Sequence, residues 1–156
     1  MFKIVSQMRI TPDFRELCTK SGLALTHQRQ VVFDSLAAMP EHYHPSPEEV
    51  YEQVRKLIPS ISQATVYKTL HTFVEHGIVR ELSPHHGTLR VDINTHVHHH
   101  LFCTQCKSVM DIEDADLDPV KLRRQLPNGF RVDRVAVEIQ GLCARCSQAA
   151  AQKQVL

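Results

Sequence analysis

The chain has 156 residues, of which 42% are hydrophobic and 22% charged, and its 18 Lys and Arg against 17 Asp and Glu give a net charge of +1. This is the composition of an ordinary globular protein, and it excludes disordered, collagen-like and low-complexity chains. The sequence has no apolar run of the ~18 residues that a membrane helix needs and no basic-then-apolar leader, so we expect a cytoplasmic protein with no membrane partner.

The first half of the chain is predicted to be helical. Four segments place apolar residues at helical spacing, and they begin near Pro12, Thr26, Ser46 and either Ser60 or Ser62. The start at Ser46 is the clearest, because this cap residue is followed by a proline at the first helical position and by two acids at the positive end of the helix dipole.

A β-hairpin is predicted after the fourth helix. Two short alternating runs, 78–82 and 88–93, are separated by a Pro-His-His-Gly turn. Helices followed by a hairpin are the element order of a winged helix-turn-helix.

The second half, from about Asn94, has a different pattern. We expect strands at 96–102, 108–112 and 130–140, a helix at 118–126, and a frayed helix in the Ala- and Gln-rich tail after Cys146.

Four of the 5 cysteines form two Cys-x-x-Cys pairs, Cys103 with Cys106 and Cys143 with Cys146. Each pair offers two sulfurs from a tight turn, and four thiolates would saturate a tetrahedral zinc ion, so such a site is structural rather than catalytic. The alternatives are a redox motif or coincidental buried thiols, and the doubled motif favours zinc. The wide separation of the pairs requires the fold to join them across a sheet. Cys18 stands alone on an apolar helix face, where we expect it to pack in the core.

A histidine-rich stretch lies immediately before the first cysteine pair. In a strand, His96, His98 and His100 would share one face. Neighbouring imidazoles begin a nitrogen-rich site for iron, manganese, zinc or nickel, whereas the alternative is a solvated polar strand. Further candidate ligands are Asp92, Asp111 and His44.

Four ordered motifs carry a resemblance to a known family. They are Leu-Thr-His-Gln-Arg at 25–29, His-Pro-Ser-Pro-Glu-Glu-Val-Tyr at 44–51, Ala-Thr-Val-Tyr-Lys-Thr-Leu at 64–70, and His-His-His-Leu-Phe-Cys-Thr-Gln-Cys at 98–106. Together they are similar to the ferric uptake regulator (Fur) family, and the resemblance covers about residues 14–147.

The resemblance implies an α+β fold, with a winged helix-turn-helix DNA-binding domain at residues 1–91 and an α/β dimerisation and metal-binding domain at residues 92–156. It implies a homodimeric repressor that binds double-stranded operator DNA and is not an enzyme. It assigns structural Zn²⁺ to the paired cysteines. It assigns a regulatory Fe²⁺ or Mn²⁺ to His44, Asp92, His98, His100 and Asp111. An ion held by both domains would set the spacing of the two recognition helices, so metal would control operator affinity.

The two aspartates indicate which signal a protein of this family would sense. Iron-level sensors of the family tend to carry Glu where this chain has Asp92 and Asp111, whereas its peroxide sensors carry Asp at both, so the chain resembles the peroxide-sensing (PerR) branch. In that branch, bound ferrous iron reacts with hydrogen peroxide and a coordinating histidine is oxidised. The oxidation candidates are His44 and His98. The alternative is an iron-, zinc- or manganese-level sensor of the same family.

Other family features bear on a third metal site and on DNA contacts. The positions of the third site found in some iron sensors include two apolar residues here, so we expect His99 to be a surface residue or a weak secondary ligand. Tyr67 and Lys68 should face the major groove, and Arg29 is a phosphate candidate. Where relatives often carry a basic residue for the minor groove, this chain has Ala24.

Two other functional classes could use the same ligands. A metal-dependent enzyme would need an open coordination position beside a base and substrate groups, and the sequence contains no nucleophile-plus-base motif and no phosphate loop. A metal store would need neither a wing nor the helix at 64–70. Metal-dependent binding to duplex DNA separates a regulator from both.

Overall fold

Four helices and a two-stranded hairpin form the described part of a first unit, which ends at Thr95. In the computed structural model the helices are α1 (Phe14–Ser21), α2 (His27–Ala37), α3 (Pro47–Leu57) and α4 (Gln63–Glu75), and the strands are β1 (Arg80–Leu82) and β2 (Arg90–Asp92). The structure describes residues 13–40, 43–82, 89–96, 98–112, 117 and 129–153. Within these ranges, no helix is long and apolar enough to cross a membrane.

The helices begin where side chains satisfy free backbone N–H groups. Thr26 caps α2, and Ser62 rather than Ser60 caps α4. Ser46 forms a capping box at α3, in which its hydroxyl accepts from the Glu49 N–H and the Glu49 carboxylate accepts from the Ser46 N–H. The predicted starts at Thr26 and Ser46 are therefore confirmed. Pro12 lies outside the described residues, and the first helix begins at Phe14 with Asp13 as its cap.

The core of the first unit is built from aromatic and branched side chains. Phe14 stacks on Phe33 with ring centroids 4.6 Å apart, and it meets the edge of Phe73 at 5.4 Å. Cys18 is 3% exposed in the same cluster, as predicted. These contacts fix α4 by one face and leave its opposite face available to a partner.

The hairpin after α4 is confirmed as an antiparallel pair. Glu81 lies opposite Val91, and Leu82 lies opposite Arg90. Val91 is 1% exposed and joins the helical core, so the hairpin is anchored to the helices as the wing of a winged helix-turn-helix. The Pro-His-His-Gly turn lies outside the described residues.

The second unit begins at His96 and contains a three-stranded sheet and one helix. Its elements are β3 (His99–Cys103), β4 (Val109–Ile112), β5 (Glu138–Gly141) and α5 (Ala144–Lys153). The strand order is β4-β3-β5, with β4 antiparallel and β5 parallel to β3. The α+β class predicted from the sequence is confirmed.

Two predicted strands of this unit have different bounds in the structure. The strand expected at 96–102 begins only at His99, and the one expected at 130–140 is confined to Glu138–Gly141. Residues 131–136 are exposed and include Arg131, Asp133 and Arg134, whose charges favour solvent over a pleated, paired strand. The helix predicted at 118–126 falls outside the described residues. The tail after Cys146 is helical through Lys153.

Candidate metal centres and nucleic-acid interface

The two cysteine pairs converge in the second unit. The sulfur atoms of Cys103, Cys106, Cys143 and Cys146 all lie within 4.8 Å of one another. All four thiols are free, and the Sγ atoms of Cys106 and Cys143 are 3.8 Å apart, which is far from the ~2.05 Å of a disulfide bond. The cluster is therefore not a pair of disulfides.

Sheet topology explains how residues 40 positions apart meet. Strands β3 and β5 are parallel, and Cys103 pairs with Gly141 at the end of both. β3 therefore leads into the turn that carries Cys103 and Cys106, and β5 leads at the same end of the sheet into Cys143 and the first turn of α5, which carries Cys146. The Thr104 N–H donates to the Gly141 carbonyl at 2.8 Å and ties the two Cys-x-x-Cys segments together. This is the joining across a sheet that the wide spacing requires.

One pair of sulfurs has the spacing expected in a tetrahedral zinc site, and the others lie within 4.8 Å. Zn–S bonds of ~2.3 Å at tetrahedral angles hold two sulfurs ~3.8 Å apart. The distance between Cys106 and Cys143 matches that value. The thiols present thus fit a zinc ion without an open coordination position.

The electrostatics of the cluster also suit a cation. Hydrogen bonds from Ser108 lower the pKa of Cys106 to about 5, and the backbone N–H of Cys143 lowers the pKa of Cys103. A hydrogen bond with Cys143, burial and the remaining thiols raise the pKa of Cys146 to about 12. Four thiols this close together cannot all ionise, because their negative charges repel one another. A bound divalent cation would compensate these charges and allow all four to ionise.

In the first unit, one predicted regulatory pair comes together. The His44 Nδ1 atom lies 3.7 Å from the Asp92 Oδ1 atom, and both side chains are fully buried. The same Asp92 oxygen accepts a hydrogen bond from the Asn94 N–H at 2.8 Å, which fixes the rotamer of the carboxylate. The pair joins the segment before α3 to the end of β2.

In the second unit, the other three predicted regulatory residues come together. The Nε2 atoms of His98 and His100 lie 3.4 Å and 3.6 Å from the same oxygen of Asp111. His100 and Asp111 are direct cross-strand neighbours on β3 and β4. The His98 Nδ1 atom lies 2.9 Å from the His96 carbonyl, and donation from this nitrogen would leave Nε2 as the metal-facing atom. The donor set of imidazole nitrogens and carboxylate oxygens fits Fe²⁺, Mn²⁺ or Zn²⁺.

His99 is not a surface residue, which is the first of the two alternatives expected from the sequence. It is 6% exposed, and its Nδ1 atom accepts a hydrogen bond from the Val137 N–H at 3.0 Å. The segment leading into β5 covers it, because the His100 N–H also donates to the Val137 carbonyl. A pairing with residue 137 has no signal in the local sequence.

The predicted DNA-contacting residues lie on the first unit. Tyr67 and Lys68 are exposed on α4, whereas Val66 and Leu70 on the same helix are buried. The Tyr67 hydroxyl donates a hydrogen bond to Glu48 in the first turn of α3. That bond raises the pKa of Tyr67 and lowers the pKa of Glu48. The ring is thus held in one orientation by a residue that the sequence analysis treated only as a helix-dipole acid.

Arg29 lies in the first turn of α2. Its Nη1 atom donates to the Ala24 carbonyl at 2.6 Å, so the guanidinium folds back over the start of its own helix. A phosphate there would meet this guanidinium beside the position where Ala24 stands.

The comparisons with known proteins agree on one family. The model of the ferric uptake regulator family matches residues 20–140. The peroxide-responsive repressor PerR of Staphylococcus saprophyticus is 37% identical over 126 residues, which are 81% of this chain and 84% of that protein.

Solved structures support the same family and fold. The Campylobacter jejuni peroxide stress regulator shares 31% identity with a TM-score of 0.62, covering 85% of this chain and 96% of that one. A zinc-bound manganese uptake regulator shares 27% identity with a TM-score of 0.64, covering 85% of this chain and 99% of that one.

Proposed function

Since the chain belongs to the ferric uptake regulator family, whose members are metal-dependent repressors and not enzymes, we propose that it is a homodimeric repressor that senses hydrogen peroxide. The observation that carries the proposal is that His44 lies beside Asp92 in the first unit, and that His98 and His100 lie beside Asp111 in the second. These two aspartates are typical of the peroxide-sensing branch. Relatives named as peroxide-responsive repressors support the same signal.

Structural zinc is the proposed occupant of the four-cysteine cluster. The support is the sulfur spacing, the free thiols and the depressed pKa of Cys106. Four thiolates leave no coordination position for a substrate, so the ion would hold the ends of β3 and β5 and the start of α5 together.

A regulatory Fe²⁺ or Mn²⁺ is the proposed occupant of the histidine–aspartate residues. The family resemblance assigns one ion to ligands that include His44 and Asp92 from the first unit. It adds His98, His100 and Asp111 from the second. Within each unit the nitrogen and oxygen donors are already gathered and their side chains largely buried. Binding to both sets would favour one arrangement of the units and hence one spacing of the recognition helices.

Peroxide sensing is proposed to end in histidine oxidation. Bound ferrous iron supplies the redox chemistry that makes hydrogen peroxide an oxidant of an adjacent imidazole. In the balanced reaction, one peroxide oxygen is inserted at a ring C–H of His44 or His98, and the other leaves as water. An oxidised ring is a poorer ligand, so the clamped arrangement and the affinity for DNA would be lost.

Operator DNA is the proposed partner, and the cytoplasm is therefore the proposed location. Tyr67 would offer its ring to thymine methyl groups and Lys68 a charge to a phosphate or purine edge, with Arg29 at a phosphate. With a net charge of +1, the chain depends on shaped docking by a dimer rather than on a broad basic patch.

The proposed dimer has support in the exposed apolar surface of the second unit. Ile139 on β5 is 39% exposed, and Phe130 before it is 70% exposed. Other apolar side chains of this unit are also exposed: Met110, Val132, Val135 and Leu142. Such a concentration is typical of a surface that a second copy covers.

A metal-level sensor is the second candidate. Structural similarity to the zinc-bound manganese uptake regulator favours it, because that protein covers 85% of this chain, the same share as the Campylobacter jejuni peroxide stress regulator. In this case DNA binding would follow free metal concentration, and peroxide would have no direct effect.

The test is DNA binding by the purified dimer with its zinc retained. A duplex selected from a random pool in the presence of Mn²⁺ serves as the operator probe. We expect no binding without added metal, binding with Mn²⁺ or Fe²⁺, and release by peroxide from the Fe²⁺ form only. Binding that needs no added metal would refute a metal-dependent repressor. Equal persistence of the Fe²⁺ and Mn²⁺ complexes in peroxide would favour the metal-level sensor.

A further inference from the structure

The segment that carries His44 is fastened to its surroundings at successive residues. The Tyr43 hydroxyl donates to a Glu49 carboxylate oxygen, and the Ser46 N–H donates to the other at 2.7 Å. The Pro45 carbonyl accepts from the Val91 N–H at 3.1 Å. The Tyr43 side chain before His44 and the backbone of Pro45 and Ser46 after it are thus tied either to α3 or to β2.

Arg90 joins these two attachments. Its Nη1 atom donates to the His44 carbonyl at 2.9 Å and to Glu49 Oε2 at 3.0 Å. The Arg90 side chain is 19% exposed, and the residue lies on β2 only two positions before Asp92. One side chain therefore links the backbone of one proposed metal ligand to the strand that carries another.

Glu49 holds the guanidinium in this position. Burial raises the pKa of the Glu49 carboxyl, but hydrogen bonds from Tyr43 and Ser46 and the charge of Arg90 outweigh it, and the net pKa is lowered. The carboxylate is therefore ionised at neutral pH and pairs with Arg90. A second pair on α3 serves as a comparison. Arg55 and Glu52 form an ion pair at 2.7 Å, and the Arg55 side chain is 52% exposed. This ion pair does not involve the segment that carries His44.

We propose that Arg90, held by Glu49, is a positioning residue for the regulatory metal, because it fixes the backbone of His44 relative to Asp92. The inference rests on the proposed function, which makes these two residues ligands. Arg90 contacts no metal itself. It orders the first unit's share of the donor set before the ion arrives, so metal binding would not have to restrain a loose His44 segment.

The expected effect is on metal affinity and not on the DNA-binding surface. Loss of partners that orient metal ligands weakens metal binding by about 10- to 100-fold. Arg90→Gln should therefore bind Mn²⁺ about 10- to 100-fold more weakly than the wild type. The Mn²⁺ concentration for half-maximal operator binding should rise by the same factor, whereas operator affinity at saturating Mn²⁺ should be unchanged.

The experiment compares the full-length wild type, Arg90→Gln, Arg90→Lys and Arg55→Gln by Mn²⁺ titration and by operator binding across Mn²⁺ concentrations. Zinc content and thermal melting show whether each variant is folded. Arg55→Gln is the matched control, since it removes the same charge from an exposed pair on α3, and it should behave as the wild type. Arg90→Lys keeps the charge but presents a single nitrogen, so we expect an intermediate shift.

Three results would overturn the inference. If folded Arg90→Gln bound Mn²⁺ with wild-type affinity, the pair of Arg90 and Glu49 would not position a metal ligand. A lowered operator affinity that excess Mn²⁺ fails to restore would make Arg90 a DNA contact or a purely structural residue. If Arg90→Gln does not fold, Glu49→Gln is tested in its place, because its amide oxygen can still accept the hydrogen bond from the Ser46 N–H. Unchanged Mn²⁺ affinity in that variant would equally refute the positioning role of Arg90. Failure of the wild type to bind Mn²⁺, by contrast, would refute the proposed function itself.

Discussion

Replacing Cys106 with serine removes the thiol that ionises most readily in the four-cysteine cluster, since hydrogen bonds from Ser108 lower its pKa to about 5. A structural zinc site contributes ~10–16 kcal/mol in small zinc-binding modules. One ligand in four corresponds to ~2.5–4 kcal/mol, or a weakening of zinc binding by ~100- to 1,000-fold.

The part of the second unit that the structure describes has few buried hydrophobic side chains outside the cysteine cluster. Among its described residues, the buried hydrophobic side chains are Phe102, Cys103 and Cys146, two of which are members of the cluster. A loss of ~2.5–4 kcal/mol is a large share of the 5–15 kcal/mol by which a domain is usually stable. We therefore expect Cys106→Ser to lose zinc to a chelator that the wild type resists, and its second unit to unfold at a lower temperature.

Zinc content after chelator challenge and calorimetric melting measure both effects. Cys18→Ser is the matched control, because Cys18 is buried in the first unit and belongs to none of the potential metal-ligand groups found among the described residues. It should keep its zinc and lose only ~1–3 kcal/mol from the stability of the first unit. One zinc per chain in Cys106→Ser, held as firmly as in the wild type, would refute the structural-zinc argument.

Three further predictions concern the DNA-binding surface, the charged pair of Glu49 and Arg90, and the dimer. Tyr67→Ala should lower operator affinity by about 10- to 100-fold, from the ~1–3 kcal/mol of a base contact, with zinc content unchanged; full affinity would mean that α4 does not read DNA. Because the pKa of Glu49 is lowered in the folded protein, its stabilising effect is complete above the ordinary carboxyl value of ~4.3 and is lost as the pH falls through the folded value. Urea unfolding of the wild type and Glu49→Gln should therefore differ at pH 7, and the difference should shrink as the pH falls below the ordinary carboxyl value of ~4.3; a constant difference would contradict the assigned charge. Ile139→Asp should give a zinc-containing monomer by light scattering, and a persistent dimer would exclude β5 from the interface.

The parts of the fold that follow from the sequence are those fixed by neighbouring residues. A few adjacent side chains predict the helix cap at Ser46, the two hairpin strands and the paired cysteines. The structure has the cap, the strands and the cysteine cluster where these patterns indicate. Strand length depends on partners. The run at 130–137 alternates in part, but Arg131 and Asp133 are exposed, and the strand forms only beside β3.

The contacts that escape sequence reasoning join residues far apart in the chain. Arg90 and Glu49 are 41 positions apart, and no local pattern pairs them. Glu48 and Glu49 serve as helix-dipole acids in any reading of α3 alone, yet one orients Tyr67 and the other holds Arg90. The candidate ligands could be predicted from residue type and family motif, whereas the residues that position them required coordinates.

The most direct test of peroxide sensing is a peptide mass map of the protein loaded anaerobically with Fe²⁺ and then treated with a small excess of hydrogen peroxide. The Mn²⁺-loaded protein is the control, and operator binding is followed in parallel. We predict a gain of one oxygen atom on the peptide that contains His44 or His98, in the Fe²⁺ sample only, together with loss of DNA binding. Unmodified histidines, with DNA binding that follows the free metal concentration, would contradict peroxide sensing and identify a metal-level regulator.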